Sequence, residues 1–368
     1  MHTRVDLRCR CTHDVRRRWD VDDFHDVRVG LWKPFGPLRH VRSVVEVGGV
    51  LPMADAVGGV SITAGSTITT DTGVILDKGG NAIPMPSKLV PQLNGPDIRV
   101  FYAKSLSIDD VQVLGTKPVS FVTTGPLLVR GVLDVGAHVT SAGPGALETG
   151  ESIGIYRQAG SFNNKGGGGN GTDGGSYLTG ASSVAGKAYT GSLLVGGGRG
   201  GDAATGGGGG GGAVQLVSLD SVSIPGAIRA SGGGGNSSPG GAGGAGGTIV
   251  IEAPNIGISG AVAANGGAGS ECGMNAPDGP VGASPAVGLV CDVNTGTNGI
   301  AHIHGGDGGT GSLLPTPGAG IISPTFSAGT ASGGAAGRII LRDTDGMYMA
   351  PVNVVVSGII TLGMLQIQ

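Results

Sequence analysis

One seven-position apolar pattern recurs along this chain and limits the fold more than any other feature. Its first clear copy is Val119, Phe121, Leu127, Val129, Gly131, Leu133 and Val135. A shift of 95 residues with no gap gives Val214, Leu216, Val222, Ile224, Gly226, Ile228 and Ala230. A third copy, one residue shorter at the break, is Ile249, Ile251, Ile256, Ile258, Gly260, Val262 and Ala264. A fourth, with a seven-residue insertion, is Ile339, Leu341, Val354, Val356, Gly358, Ile360 and Leu362, and looser kin lie at Val60–Leu76 and Ile98–Val113. Apolar residues at every second position mark strands buried on one face, not helices. The glycine shares parity with the inward positions, and Pro225 precedes it in one copy. Proline cannot donate to a ladder, so this point reads as a corner. A single copy cannot bury its own apolar face, and the copies must therefore stack. The pattern predicts an all-β chain whose residues 98–368 form a parallel β-helix, a solenoid of irregular coils, with a β-sandwich as the alternative.

Between the copies lie glycine tracts: Gly166–Gly169, Gly197–Gly201 interrupted by Arg199, Gly206–Gly212, Gly232–Gly235 and Gly240–Gly247. Glycine supplies 78 residues without the strict three-residue Gly-Pro period of collagen. Two conformations are open to the tracts. They form mobile loops, or they adopt the extended three-residue-per-turn helix, whose outward amides and carbonyls can bond to neighbours.

Charge divides the chain. Residues 1–52 hold 10 of the 23 Lys and Arg, four of the seven His and two of the four Cys. Such a break marks a boundary. Residues 1–52 contain neither the apolar core of a signal peptide nor a strand alternation, and read as a disordered basic leader or a start assigned too early, with Met53 the candidate start. The sharper alternative is a basic arm for an acidic partner. Residues 53–97 form an N-terminal β segment or cap. A net charge of −3 with only 13% charged residues leaves no footprint for nucleic acid. No stretch reaches the roughly 18 uninterrupted apolar residues of a membrane helix.

Candidate chemistry is sparse. Gly150-Glu151-Ser152-Ile153-Gly154 fits the nucleophile-elbow pattern, but a chain so rich in glycine and serine produces about one such match by chance, and no helix follows it. Around Gly186-Lys187, Ala181 and Ala188 replace residues a phosphate loop requires. Gly168-Gly169-Asn170-Gly171-Thr172-Asp173 resembles half a calcium-binding nonapeptide, but occurs once. His302 and His304 share one side of any strand there and are too few for a metal, and Cys9, Cys11 and His13 cluster within the leader. In the register of the repeat Asp134 falls opposite Arg229 and Ala263, so no ladder of carboxylates forms. No catalytic, cofactor-binding or metal site is assigned. Cys272 and Cys291 bracket an 18-residue insertion with little apolar content. A disulfide between them would restrict the unfolded loop, worth roughly 3 kcal/mol, and fits an oxidising compartment.

The segments GGGGGGAVQLVS at 207–218, GTIVIEAPNIGISGAVAANGG at 247–267 and the stretch 117–137 resemble the core of uncharacterised glycine-rich secreted or surface proteins of predatory soil bacteria. The resemblance covers about residues 100–345 and implies an extracellular or cell-surface location, although the export signal such relatives carry is not visible here. A weaker similarity is to phage tail-tip adhesins, which interleave polyglycine helices with variable loops. The expected function is a non-enzymatic extracytoplasmic structural or adhesive protein meeting cell-surface glycans or other surface proteins. The alternative is a carbohydrate-binding or polysaccharide-cleaving β-helix.

Overall fold

A computed structural model describes residues 41–42, 57–148, 155–156, 166–176, 183–201, 206–236, 241–270, 274–294, 300–318, 322–323, 326–327, 331–346, 348 and 354–367. The chain divides into two units, Met1–Arg39 and His40–Gln368, and all described residues lie in the second. In chain order the strands are β1 (Val41–Arg42), β2 (Val57–Ile62), β3 (Ser66–Thr69), β4 (Val74–Leu76), β5 (Ser87–Val90), β6 (Ile98–Ile108), β7 (Val111–Leu114), β8 (Val119–Thr123), β9 (Leu127–Val129), β10 (Val132–Asp134), β11 (Ile155–Tyr156), β12 (Ser183–Val184) and β13 (Ala213–Ser218). They continue with β14 (Ser221–Ile224), β15 (Ala227–Arg229), β16 (Thr248–Glu252), β17 (Asn255–Ile258), β18 (Ala261–Ala263), β19 (Val290–Asn294), β20 (Ile300–His304), β21 (Ile322–Ser323), β22 (Phe326–Ser327), β23 (Arg338–Asp343), β24 (Val355–Ser357), β25 (Ile359–Met364) and β26 (Gln366–Ile367).

Two sheets enclose the main core. The larger is a curled, half-barrel parallel sheet whose bonded path runs β17-β14-β9-β6-β8-β13-β16-β23-β25, with β2 and β5 added to β6. The smaller is a mixed sheet, β24-β18-β15-β10-β7-β3-β4. Residues of 53–97 supply β2–β5 to these same sheets. The repeat sets the register: Val119 pairs with Val214 and Phe121 with Leu216, Val222 with Leu127, and Leu133 with Ile228. The third copy adds Ile249, Ile251, Ile256 and Val262 to the same columns. These side chains, apart from the half-buried Ile256 packed against them, are buried between the sheets, where the Phe101 and Phe121 rings stack 5.6 Å apart.

The expectation of a parallel β-helix solenoid is corrected here. The strands lie in one curled sheet facing one mixed sheet, and antiparallel strands β4 and β5 pair at the β6 end. Parallel neighbours need long crossovers, ordinarily α-helices, which gives α/β proteins their parallel sheets. No helix is found among the described residues, and the crossovers into β13, β16 and β23 pass through strands of the smaller sheet and then through the glycine tracts. The tracts offer no apolar wall to a coil, and they satisfy their own main chain elsewhere.

That main chain forms a lattice. Successive amides from Ala242 to Gly247 donate to Gly201, Ser332, Gly233, Gly198, Ala335 and Ala230, visiting three neighbouring segments in turn and then repeating. The carbonyls from Ala242 to Ala245 accept from Gly208, Gly168, Gly267 and Gly211, on three further segments. A repeat of three residues with all bonds made between segments is the geometry of the extended polyglycine helix. Of the two conformations open to the tracts, the described ones are packed. Their glycines are not in the left-handed φ region. Glycine serves there through its missing Cβ: one built on Gly244 would collide with the Gly209 carbonyl, and one on Gly267 with that of Gly233.

Burial differs from the expected single apolar face. Strands β8, β13 and β16 are buried on both faces: Val122, Val217 and Val250 form a second cluster with Val100, Tyr102 and Leu194 on the side away from the main core.

Candidate functional site

Chain direction places the connections. Segments 206–212, 241–247 and 331–337 run into β13, β16 and β23, while 231–236 and 264–270 leave β15 and β18. Antiparallel bonding, such as Gly267 to Gly244 and Ser270 to Gly241, holds the two directions together. The short sheets β11–β12, β19–β20 and β21–β22 therefore sit at the ends of glycine segments remote from the two large sheets. Met274, Val287 and Val290 are exposed in these connections.

The sequence candidates fall largely among them. Cys291 lies in β19 and pairs with Ile303, while Cys272 is outside the described residues. His302 pairs with Asp292 and His304 with Val290 across the same hairpin. Ser152 and the Cys9, Cys11 and His13 cluster are outside the described residues. In the calcium-like motif Asp173 is taken up by the protein itself, whereas Asn170 is held through its amide nitrogen and its buried Oδ1 makes no hydrogen bond among the described residues. The Asn170 amide donates to the carbonyls of Gly246 and Gly247 at 2.7 and 2.9 Å. Asp173 accepts from Lys187 Nζ at 2.8 Å and from the Ala188 amide at 2.7 Å, and these bonds, the lysine's first, hold its carboxyl below the usual range. The same pair pushes the Lys187 ammonium up. Among the described residues no group of three or more His, Cys, Asp or Glu could hold a metal ion, and no helix is long and apolar enough to cross a membrane.

A polar cluster marks the other end of the lattice, where it joins the smaller sheet. The register sets Asp134 of β10 beside Arg229 of β15, and Arg229 Nη1 lies 3.0 Å from Asp134 Oδ2. His138 Nε2 is 3.2 Å from the same oxygen. Asp278, from a glycine segment, approaches Arg229 Nη2 at 3.5 Å and His138 Nδ1 at 3.7 Å. Its other oxygen accepts the amides of Val139 at 2.9 Å and Gly234 at 2.8 Å, and Val139 takes a positive φ of 51° to reach it. Chemically this is a tie, with both carboxylates committed to a guanidinium and to amides and the half-exposed His138 at its rim. Sequence register located the Asp134–Arg229 pair, but nothing in the sequence brings Asp278 to it.

A second polar array was not anticipated. On the outer face of the long sheet Ser120 Oγ donates to Gln215 Oε1 at 3.0 Å, and Gln215 Nε2 donates to Glu252 Oε2 at 2.8 Å. Arg342 Nη1 stands 3.7 Å from the other oxygen of the fully buried Glu252. The available signal was the lone polar residue inside the apolar runs AVQLVS and TIVIEA.

With this geometry in view, no family model matches the chain, and neither the curated proteins nor the solved structures contain a match.

Proposed function

We propose that this chain is a non-enzymatic structural or adhesive protein that works outside the cytoplasm, at the cell surface or beyond it, by holding variable loops on a stiff base. The observation that supports this reading is the glycine lattice. Each segment is fixed by main-chain bonds to several neighbours, so the connections at its outer ends start from anchored positions. Exposed apolar groups in those connections, Met274, Val287 and Val290, suit contact with a glycan ring or a protein surface. The sequence resemblance to glycine-rich surface proteins points the same way.

A glycan array read alongside a reducing-sugar assay tests the proposal. Retention of glycans or surface proteins without turnover is the expected result, and turnover of any polysaccharide would sink it. The rival reading, a carbohydrate-cleaving enzyme, draws on the Asp134, Asp278 and His138 cluster, since paired carboxylates carry glycoside chemistry. Turnover that disappears in Asp134→Asn would establish that rival.

A further inference from the structure

Val139 lies in the turn that follows β10 and holds a φ of 51°. Among the described residues only Val139 and Asn94 are non-glycine residues at positive φ. A β-branched side chain is an outlier there, and such strain persists only where the surroundings enforce it. Here they enforce it from several directions. His138 and Ser141 close the turn, each amide donating to the other's carbonyl at 3.0 and 2.9 Å. Positive φ at the first central residue alone is the II′ pattern, which ordinarily puts glycine at that position. The Val139 amide donates to Asp278 Oδ1 at 2.9 Å, and its carbonyl accepts from the Gly209 amide at 2.8 Å. Asp278 keeps its place without the turn, because Ala276 and Gly279 on either side of it donate to Gly235 and Gly232, both at 2.9 Å. The turn is the part that can leave.

Three charged groups face the His138 ring: Asp134 of β10, Arg229 of β15 and Asp278 of the glycine segment. With a neutral ring the set has one cation against two carboxylates, and Nε2 can accept from Arg229 Nη1 at 3.4 Å. With a protonated ring both nitrogens carry protons, Nε2 toward Asp134 Oδ2 at 3.2 Å and Nδ1 toward Asp278 Oδ2 at 3.7 Å. The charges then balance. Two attractions outweigh the single repulsion from Arg229 at a similar distance. The ring is 45% exposed, so a proton reaches it without unfolding.

We propose that the turn 138–141 is a proton-operated latch. A protonated His138 holds it closed against the strain at Val139, and loss of that proton shifts it toward an open form in which Val139 relaxes to extended backbone. Opening breaks the bond from Val139 to Asp278 and the bond from Gly209 to Val139, and so unties one point of the glycine tract that enters β13. Histidine changes its charge between about pH 5 and 8, so the latch is tighter on the acid side of that interval and looser on the alkaline side.

Amide exchange on the full chain tests this, read as protection factors so that the intrinsic pH dependence of exchange is removed. The Val139 amide should be at least about fivefold more protected at pH ~5 than at pH ~8, while that of Gly279 stays constant. In His138→Gln, which cannot take a proton, protection at position 139 should sit at the alkaline level of the wild type at both values. In Val139→Gly, which accepts positive φ without strain, it should stay near the acid level at both. Equal protection of wild-type Val139 at the two pH values would overturn the proposal. So would a difference that survives in His138→Gln, a Val139→Gly turn that loosens at pH ~8 as the wild type does, or a parallel loss at Gly279, which would place the change in the whole segment.

Discussion

A methyl group on Gly247 would run into the Gly212 carbonyl and the Gly211 main chain, whereas one on Gly257, in β17, meets nothing within 4 Å. Neither glycine holds a positive φ. Gly247→Ala is therefore expected to cost about 1–3 kcal/mol, because the obstacle is main chain and cannot rotate away. Gly257→Ala should gain about 0.4–1 kcal/mol by restricting the unfolded chain. Urea midpoints at constant slope read both, and equal effects would remove the case for a lattice that needs glycine. The Asp173–Lys187 pair makes a prediction in pH. Asp173 has a folded pKa below its unfolded value, so its contribution is present at neutral pH and is lost as pH falls through the folded value, below about pH 4. Both side chains are about half exposed, so solvent screening keeps the contribution small. Asp173→Asn should flatten the fall of stability below pH ~4 and leave the neutral range unchanged in slope, as measured by urea unfolding across that interval. At this scale the sequence showed Asp173 inside a calcium-like motif, but not that Lys187, fourteen positions on, would take its carboxylate.

Among elements, the repeat was legible because each strand buries alternate apolar residues against the same core. The 95-residue shift reproduces the pairing of β8 with β13 and of β10 with β15. The corner glycines were legible too, and a Cβ on Gly260 would strike the Gly226 carbonyl. The fourth copy was misaligned. Matching Gly358 to Gly260 sets Val356 beside Ile258 and Ile360 beside Val262, but Val356 pairs with Val262, and Ile360 begins a new rung beside Ile339. Only three residues of β24 reach the smaller sheet, and their pairing with β18 outweighs the glycine match. Double-sided burial was not legible in β13 and β16, since Leu194, which clusters with Val217 and Val250 on their second face, is remote in sequence from β16 and separated from β13 by a glycine tract. For the Cys272–Cys291 pair, alkylation with and without reductant should show two thiols freed on reduction, and Cys291→Ser should cost roughly 3 kcal/mol. Equal labelling in both conditions would end that assignment.

At the level of the whole molecule, strand content was readable and architecture was not. Alternation reports that a strand has a buried face, but it does not say whether the chain returns by a third wall or by a detour. Glycine tracts make the detour, and their bonds run among peptide groups that carry no net charge. With 13% charged residues, unfolding free energy should change little between about 0.1 and about 1 M salt, where surface ion pairs lose most of their reach. A chemical denaturation series in salt checks this, and a steep salt dependence would mean that ion pairs rather than the lattice carry the stability. Far-ultraviolet circular dichroism should show no dominant helical signal.

A scaffold of bare main chain cannot tell one of its residues from the next. Sliding a tract by three positions would return every amide to an equivalent carbonyl, so the tracts do not choose their own alignment. It is fixed from outside: by the strands they enter, by Asn170 on the carbonyls of Gly246 and Gly247, and by Asn265, which donates to Pro280 and Gly282 and accepts from Ser357. Gains and losses of whole triplets within a tract preserve the bonding phase, whereas one or two residues turn every donor a third or two-thirds of the way around. The tracts can therefore change length in the course of evolution only in steps of three, and each such step moves the loop at the tip outward or inward without disturbing the base.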